Sequence, residues 1–416
     1  MPSAPLAVEA SPGLEDVVLV NPLMTGRGFK QACRERGVRV ISLYTLDPDL
    51  LTSFQEDYTE GDDVSLYAAD SPSARSQLQA PVRAVVPTTE PSVVVADELG
   101  RSLGVPGNPL ETAPARRDKA VMRAHAMAKG VPVPEFAVVD GPAVRASLDS
   151  IGFPAIVKPA TGAGSEGVVL VSDAAEADAL PSLGGTDTFG SPVRSWLVER
   201  YVRGREMAVN TFSFDGRHRV LDVWEYRQPS EGDYDQPYWN VVRMPAHDPV
   251  AADAAALALR VLDAYEVRLG PAHIEVKAGP DGTFLIEVAT RLPGAHMVDH
   301  WERNSSIRPY ADTLAAYMGE DTGLLHRDLG VDRALGICCL RNDDRAATLV
   351  ALHGLEELAR TPGVDGVFPN LSPGDHAPLT RDLGTLLGFV LVSAPDHATL
   401  SRRMSHIRSL VTPELA

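Results

Sequence analysis

Cysteine is scarce in this chain of 416 residues. Cys33, Cys338 and Cys339 are the only three, with no Cys-x-x-Cys spacing and no plausible disulfide framework, which fits a reducing compartment and thiols that serve as buried hydrophobes. Positive charge is short as well: 38 Lys and Arg against 56 Asp and Glu give a formal net charge of -18. Every contact with a phosphate backbone or an anionic lipid surface would begin against repulsion, so nucleic acid and membrane are poor partners. No apolar run approaches the roughly 18 residues of a membrane span. The stretch from Met1 to Asp16 is acidic and lacks the basic segment and apolar core of a secretion signal. Internal repeats, low-complexity tracts and a biotin-accepting lysine motif are missing too. Together these shortages predict a cytoplasmic protein that works on small molecules. What remains is ordinary globular composition, 44% hydrophobic and 23% charged, with 34 Gly and 33 Pro for many turns. The length exceeds what one compact core usually holds, so two or three domains are expected.

Asp16-Val17-Val18-Leu19-Val20-Asn21 reads as a strand, followed by a helix through Arg36 and a second strand over Val38 to Leu43. Val82 to Val86 is a further strand ending at Pro87-Thr88-Thr89-Glu90, with a helix near Val93 to Leu103 behind it. An open parallel sheet therefore fills residues 15 to about 110. Glu90 lies at a strand's carboxyl end, where such sheets bind ligands, and serves equally well as a cap for the next helix. A helix from Asp118-Lys119 to Lys129, closed by Gly130, opens a new region. Strands at Phe136 to Val139, Ala155 to Lys158, Val168 to Val171 and Trp196 to Tyr201 give it an α+β pattern with antiparallel pairs. From about Val331 the pattern continues with strands at Leu335 to Leu340 and Gly388 to Val392 and a helix near His397 to Leu410.

Gly162-Ala163-Gly164-Ser165-Glu166-Gly167 fits Gly-x-Gly-x-x-Gly, yet Val168 to Val171 behind it reads as a strand, not the helix that a dinucleotide fingerprint requires. That context disfavours a nicotinamide oxidoreductase. No Gly-Lys-Ser/Thr closes the loop as in a P-loop; Lys158 stands on the preceding strand instead. A glycine flap between two strands offers backbone N–H groups to anionic oxygens. Trp196 to Val202 turns at Gly204 and reaches Glu206; backbone groups at such a strand end can read an adenine edge, and the carboxylate can accept ribose hydroxyls. His273-Ile274-Glu275-Val276-Lys277 and Phe284-Leu285-Ile286-Glu287-Val288 flank the turn Gly279-Pro280-Asp281-Gly282 and form a β-hairpin. Alternation puts Glu275 on one face with His273 and Lys277 and sets it opposite Glu287 within a residue. Facing like charges call for a cation: magnesium, or Lys277 beside one of them. Arg291, four residues after Glu287, can aim its donors at a phosphate or a developing oxyanion. Trp224-Glu225-Tyr226-Arg227-Gln228 leads into a polar aromatic loop with Tyr234, Tyr238, Trp239 and Asn240, which can cover a substrate, Arg227 acting as carboxylate partner.

In this order, Asp118-Lys119, Val157-Lys158-Pro159, the glycine loop, Glu199 through Glu206, and Glu275 with Glu287 and Arg291 resemble the ATP-grasp superfamily of carboxylate-amine ligases, over roughly residues 15 to 330. The resemblance implies an α/β and α+β multidomain protein: a Rossmann-like open parallel-sheet domain at 1–112, a lid domain with the glycine loop at 113–203, a catalytic domain at 204–330 and a C-terminal α/β subdomain at 331–416. It implies ATP contacts from Lys119, Lys158, Gly162, Gly164, Ser165 and Gly167, an adenine hinge over Glu199, Tyr201 and Val202, and a ribose acceptor in Glu206. It implies magnesium, with manganese as substitute, on Glu275 and Glu287, and a substrate end with Glu90, Arg227 and Arg291. Many members carry an asparagine two residues after the second metal glutamate, whereas this chain has Ala289. Glu-x-x-x-Arg without it is more similar to the L-amino acid ligase branch, whose arginine at the place of Arg291 stabilises the tetrahedral species. The implied reaction joins two amino acids, or an amino acid and a related carboxylate, through an acyl phosphate. Other ligases of the superfamily and a non-catalytic nucleotide-binding regulator are the alternatives, and dimers are common in the family.

Overall fold

The computed structural model describes residues 15–78, 81–180, 183–229 and 238–416. The first strands, Asp16–Val20 (β1), Arg39–Tyr44 (β2), Val64–Tyr67 (β3) and Val82–Pro87 (β4), form a parallel sheet in the order β3-β2-β1-β4. Val18, Val20, Ile41, Leu43 and Val85 on one face and Val17, Leu19, Val40, Ala84 and Val86 on the other are buried, so both faces are covered, as a parallel sheet requires. The strand order reverses between β1 and β4, and the crevice there opens at their carboxyl ends, beside Asn21 and Glu90. The Thr88 hydroxyl ties the two ends together, lying 2.8 Å from the Val20 carbonyl and 2.6 Å from that of Asn21.

Phe136–Val139 (β5), Ala155–Pro159 (β6), Val169–Val171 (β7) and Trp196–Arg200 (β8) make a small antiparallel sheet ordered β5-β8-β6-β7. The glycine loop connects β6 to its antiparallel neighbour β7, so it is a flap between strands and no helix follows it.

The largest sheet has eight strands in the order β13-β12-β9-β10-β11-β14-β18-β16. Arg205–Phe214 (β9), Arg217–Arg227 (β10), Asn240–Arg243 (β11), Gly270–Gly279 (β12) and Gly282–Ala289 (β13) are joined by Ala334–Leu340 (β14), Val364–Pro369 (β16) and Gly388–Ala394 (β18). Ala347–His353 (β15), His376–Ala377 (β17) and Thr412–Leu415 (β19) form a small separate sheet. The strands beyond residue 330 thus extend the sheet that carries the 275/287 hairpin. No helix among the described residues is long and apolar enough to cross a membrane.

The helix Pro249–Ala264, capped by the Asp248 carboxylate, lays Ala254, Leu257, Ala258, Val261 and Leu262 against Val209, Ile274, Val276, Leu285 and Val288. Each fully buried aliphatic side chain of this kind contributes about 1.5–3 kcal/mol. Because side chains alternate, burying Ile274 and Val276 on the helix turns His273, Glu275 and Lys277 to the opposite face. The sheet thereby presents one row of polar side chains to the lid.

Gly204, at the corner from β8 into β9, has φ +140° and packs its Cα on the β12 turn, where a Cβ would sit 2.1 Å from the Ala278 carbonyl oxygen. Backbone on both sides leaves no room to yield, so Gly204→Ala is expected to cost well over the roughly 1 kcal/mol of an ordinary glycine substitution. A melting temperature equal to the parent's would show that this corner can relax.

Candidate active site

One cleft between the lid sheet and the polar face of the large sheet collects most of the expected residues: Lys119, Lys158, Gly162, Gly164, Ser165, Glu199, Tyr201, Val202, Glu206, Glu275, Glu287 and Arg291 all line it. Gly167 lies on the same loop, and its φ of +70° is taken with Gly162 (+100°), Gly164 (+69°) and Ser165 (+64°), so the flap's conformation rests on left-handed backbone.

At the inner end, Ile156, Ile286, Tyr201 and Val202 provide a largely apolar slot. The Glu199 carboxylate beneath it is buried and held by Arg123 Nε at 2.5 Å and Lys158 Nζ at 2.6 Å. Burial works against that carboxylate, but the two cations outweigh it and hold its pKa down at about 2. Burial pulls the Lys158 ammonium below the usual lysine value while Glu199 opposes it. The side chain of Glu199 is thus committed to two cations inside the protein. A carboxyl group depressed on folding stabilises the native state above its unfolded pKa and loses that contribution as pH falls toward its folded one. The stability gap between parent and Glu199→Gln should therefore be widest near neutrality and narrow by on the order of 3 kcal/mol between about pH 4.5 and 2. Denaturant melts that give a constant gap over that window would contradict the assignment.

Arg123 was not foreseen. It stands one turn after Lys119 on the helix Lys119–Ala128, whose start is capped by Asp118. Lys119 thereby lines the cleft while Arg123 is buried on Glu199, and Arg123 Nη2 also donates to the Ile286 carbonyl at 2.8 Å. That carbonyl belongs to a β-bulge: Glu275 pairs with Glu287 but Val276 with Leu285, leaving Ile286 as the extra residue. The bulge sends Ile286 and Glu287 both into the cleft while Leu285 and Val288 stay in the core.

Glu275 and Glu287 face each other directly across β12 and β13. The Lys277 ammonium lies 3.3 Å from Glu206 and 4.6 Å from the centre of the Tyr201 ring. Lys119 Nζ touches Glu287 at 3.2 Å and the Gly162 carbonyl at 3.0 Å, joining the flap to the carboxylate pair. Burial raises the Glu275 pKa, but His273, Tyr226 and Lys119 more than offset it and leave the group below the usual carboxylate range. Among the described residues there is no cluster of three or more His, Cys, Asp or Glu that would hold a metal by itself. Two facing oxygen donors beside a glycine flap rich in left-handed backbone match the donor set that magnesium uses when a nucleotide supplies its other ligands.

Beyond the carboxylates, Arg291 Nε donates to Glu90 Oε2 at 2.8 Å; Arg291 lines the cleft, whereas Glu90 is buried and does not line it, tying the switch point of the parallel sheet to the cleft through the arginine. Glu90 is not the helix cap: Ser92 Oγ accepts from the backbone of Thr88 and Thr89 there, and the carboxylate is left for Arg291. Arg227 has to be corrected. It lies on the far face of β10, where Nε pairs with Glu225 at 2.7 Å, and alternation sends its neighbour Tyr226 into the cleft instead. Tyr238 lines the cleft with its hydroxyl 2.7 Å from Ser165 Oγ, whereas Trp239 and Asn240 are engaged by Arg408 of the last helix. Tyr234 lies outside the described residues. Burial, reinforced by Glu275, pushes the Tyr226 and Tyr238 phenols well above their ordinary pKa, so both stay protonated donors. Leu383, from the C-terminal region, closes the outer wall and donates its N–H to the Gly164 carbonyl at 3.1 Å.

Comparison with known proteins agrees with this geometry. Residues 151–299 match the model of the ATP-grasp domain, and residues 343–416 match L-amino acid ligase C-terminal domain 2. Dapdiamide A synthase of Enterobacter agglomerans is 24% identical over 349 residues, spanning 80% of this chain and 81% of its own length. An L-arginine-specific L-amino acid ligase of Bacillus subtilis is 25% identical over 240 residues, 55% of this chain and 58% of its own. The crystal structure of an L-amino acid ligase from Bacillus licheniformis superposes with a TM-score of 0.75 at 19% identity, covering 97% of this chain and 99% of that one. Cleft, flap and both domain matches make the chain a member of the ATP-grasp superfamily of carboxylate-amine ligases, built with the C-terminal domain of the L-amino acid ligases.

Proposed function

We propose that this enzyme joins two amino acids, or an amino acid and a related carboxylate, by an amide bond at the expense of ATP. The observation that carries the reading is the placement, in one cleft, of the facing pair Glu275 and Glu287 and the glycine flap, together with Arg291, which buried Glu90 holds. In this reading the backbone from Glu199 to Val202 meets the adenine edge, Glu206 accepts the ribose hydroxyls, and Lys119, Lys158 and the flap from Gly162 to Gly167 hold the phosphates. Glu275 and Glu287 hold magnesium, replaceable by manganese, which supplies charge neutralisation to the phosphate oxygens. The γ-phosphoryl group passes to a substrate carboxylate oxygen and ADP leaves. The nitrogen of the second substrate then attacks the acyl carbon, the bond to the phosphate oxygen breaks, and phosphate departs with that electron pair while the amine loses a proton.

The chain's part is positioning and exclusion of water: Arg291 faces the oxyanion, Glu90 receives an ammonium group, and Tyr238 and Leu383 meet the flap so that the acyl phosphate is shielded. Such chemistry belongs in the cytoplasm, where ATP and amino acids are at hand. The names of the relatives from E. agglomerans and B. subtilis support an amino acid substrate. A screen of amino acid pairs with ATP and magnesium, following phosphate release and amide products by mass, tests the reading. Phosphate release that requires both partners of a pair, with the condensed product, is the expected result. Release with one acid and no amide would assign the enzyme to a different acid, and nucleotide binding without turnover would make it a regulator.

A further inference from the structure

Behind Glu275 runs a chain of buried polar groups that the reading above does not use. Trp301 Nε1 donates to Asp222 Oδ2 at 2.7 Å, Asn210 Nδ2 donates to Asp222 Oδ1 at 2.8 Å, and Asn210 Oδ1 meets His273 Nδ1 at 2.7 Å. All four side chains are buried, in a sheet whose neighbouring positions are aliphatic. An indole N–H can only donate and an ionised carboxylate can only accept, so the direction of every hydrogen bond is fixed. Asn210 must turn its amide nitrogen to Asp222 and its oxygen to His273, so His273 Nδ1 donates to it. Nε2 faces the cleft, 3.3 Å from the Tyr226 hydroxyl and 3.5 Å from Glu275 Oε1, and that hydroxyl donates to Glu275 Oε1 at 3.2 Å.

We infer that His273 is a positioning residue: its ring held in one orientation by Asn210, Asp222 and Trp301, it anchors the Tyr226 hydroxyl and through it keeps the Glu275 carboxylate turned toward Glu287. This rests on the reading of Glu275 and Glu287 as the cation's ligands. The physical need is plain. Two carboxylates forced face to face swing apart unless something fixes them, and a neutral hydroxyl donor held behind one of them orients it without cancelling its charge. A lysine or arginine in that place would fix the carboxylate and neutralise it together. Partners of this kind, one shell behind a metal ligand, typically change metal affinity by about 10- to 100-fold when removed.

The test is manganese binding to the full-length protein with ADP present, read by electron paramagnetic resonance and so independent of turnover. His273→Asn keeps an amide donor near the Nδ1 position for Asn210 but removes Nε2; Tyr226→Phe removes only the hydroxyl. Each is expected to weaken manganese binding about 10- to 100-fold, and the double variant no further, because both act through one contact. The magnesium concentration for half-maximal turnover should rise, with kcat largely recovered at saturating metal. Parent-like manganese affinity in Tyr226→Phe, or in a His273→Asn protein that keeps the parent's melting temperature, would overturn the inference. A parent protein with no ADP-dependent manganese site, or one that Glu275→Gln leaves intact, would instead remove the reading on which the inference rests.

Discussion

Glu287→Gln is expected to lose at least about 10³-fold in ADP release while melting no lower than the parent, because several kcal/mol of Lewis-acid stabilisation is at stake and each ~1.4 kcal/mol is a decade in rate. The two halves of this expectation come from one geometry. Glu287 lies directly across the hairpin from Glu275, both are partly exposed in the cleft, and the only lysine touching either is Lys119, at 3.2 Å from Glu287 among the ion pairs of the described residues. Without a cation the pair repels, at a cost of about 0.2–1 kcal/mol for like charges directly opposed. Replacing one carboxylate by an amide relieves that repulsion, leaves the packing of Leu285 and Val288 unchanged, and leaves Lys119 its bond to the Gly162 carbonyl and the charge of Glu275. A magnesium titration of ADP release, run beside thermal melts, checks both. Unaltered ADP release would contradict the metal assignment, and a large drop in melting temperature would make the loss of turnover a folding effect.

The hairpin also shows how far the sequence could be read. Two runs with a Gly-Pro-Asp-Gly turn between them fix an antiparallel pair, and alternation puts His273, Glu275 and Lys277 on one face, as found. The bulge at Ile286 was not legible. Strict alternation along β13 would turn Leu285 to the same side as Glu287, and only the carbonyl clasp from Arg123, 163 residues away, marks where the extra residue is absorbed. Local pattern likewise supplied the parallel sheet and the flap, where β-branched runs and glycines dictate conformation. It failed where a role depends on a distant partner. Arg227 was expected at the substrate because of its charge, but its strand parity with Glu225 sends it to the opposite face. Glu199 lines the cleft as expected, but the commitment of its side chain to Arg123 and Lys158 had no local signature. Leu383 has no local signature, since its place depends on how the last strands extend the large sheet. The partnership of Glu90 with Arg291, 201 positions apart, is of the same kind: each was foreseen singly, and only the fold makes them a pair.

That pair gives the second large effect. Arg291→Ala is expected to lower turnover on the order of 10²- to 10³-fold, the loss typical of one charged donor to an oxyanion. It should also destabilise the protein, because Glu90 is buried with 3% of its side chain exposed and loses its counter-charge. Breaking such a pair from one side costs about 3–5 kcal/mol. Glu90→Gln strands a group that is better placed, since Arg291 is 18% exposed and keeps the Leu292 carbonyl at 2.9 Å. The single variants should therefore differ: Arg291→Ala loses stability and kcat, Glu90→Gln loses little stability and raises KM for the substrate whose ammonium it receives. In the double variant no buried charge is left uncompensated, so most of the stability returns, and double-mutant arithmetic should give a coupling of a few kcal/mol in stability. Turnover should not return with it, because the donor that faces the developing negative charge is still missing. A double variant that regained both would mean that Arg291 serves only to neutralise Glu90, and an Arg291→Ala enzyme forming amide at the full rate would remove it from the chemistry altogether.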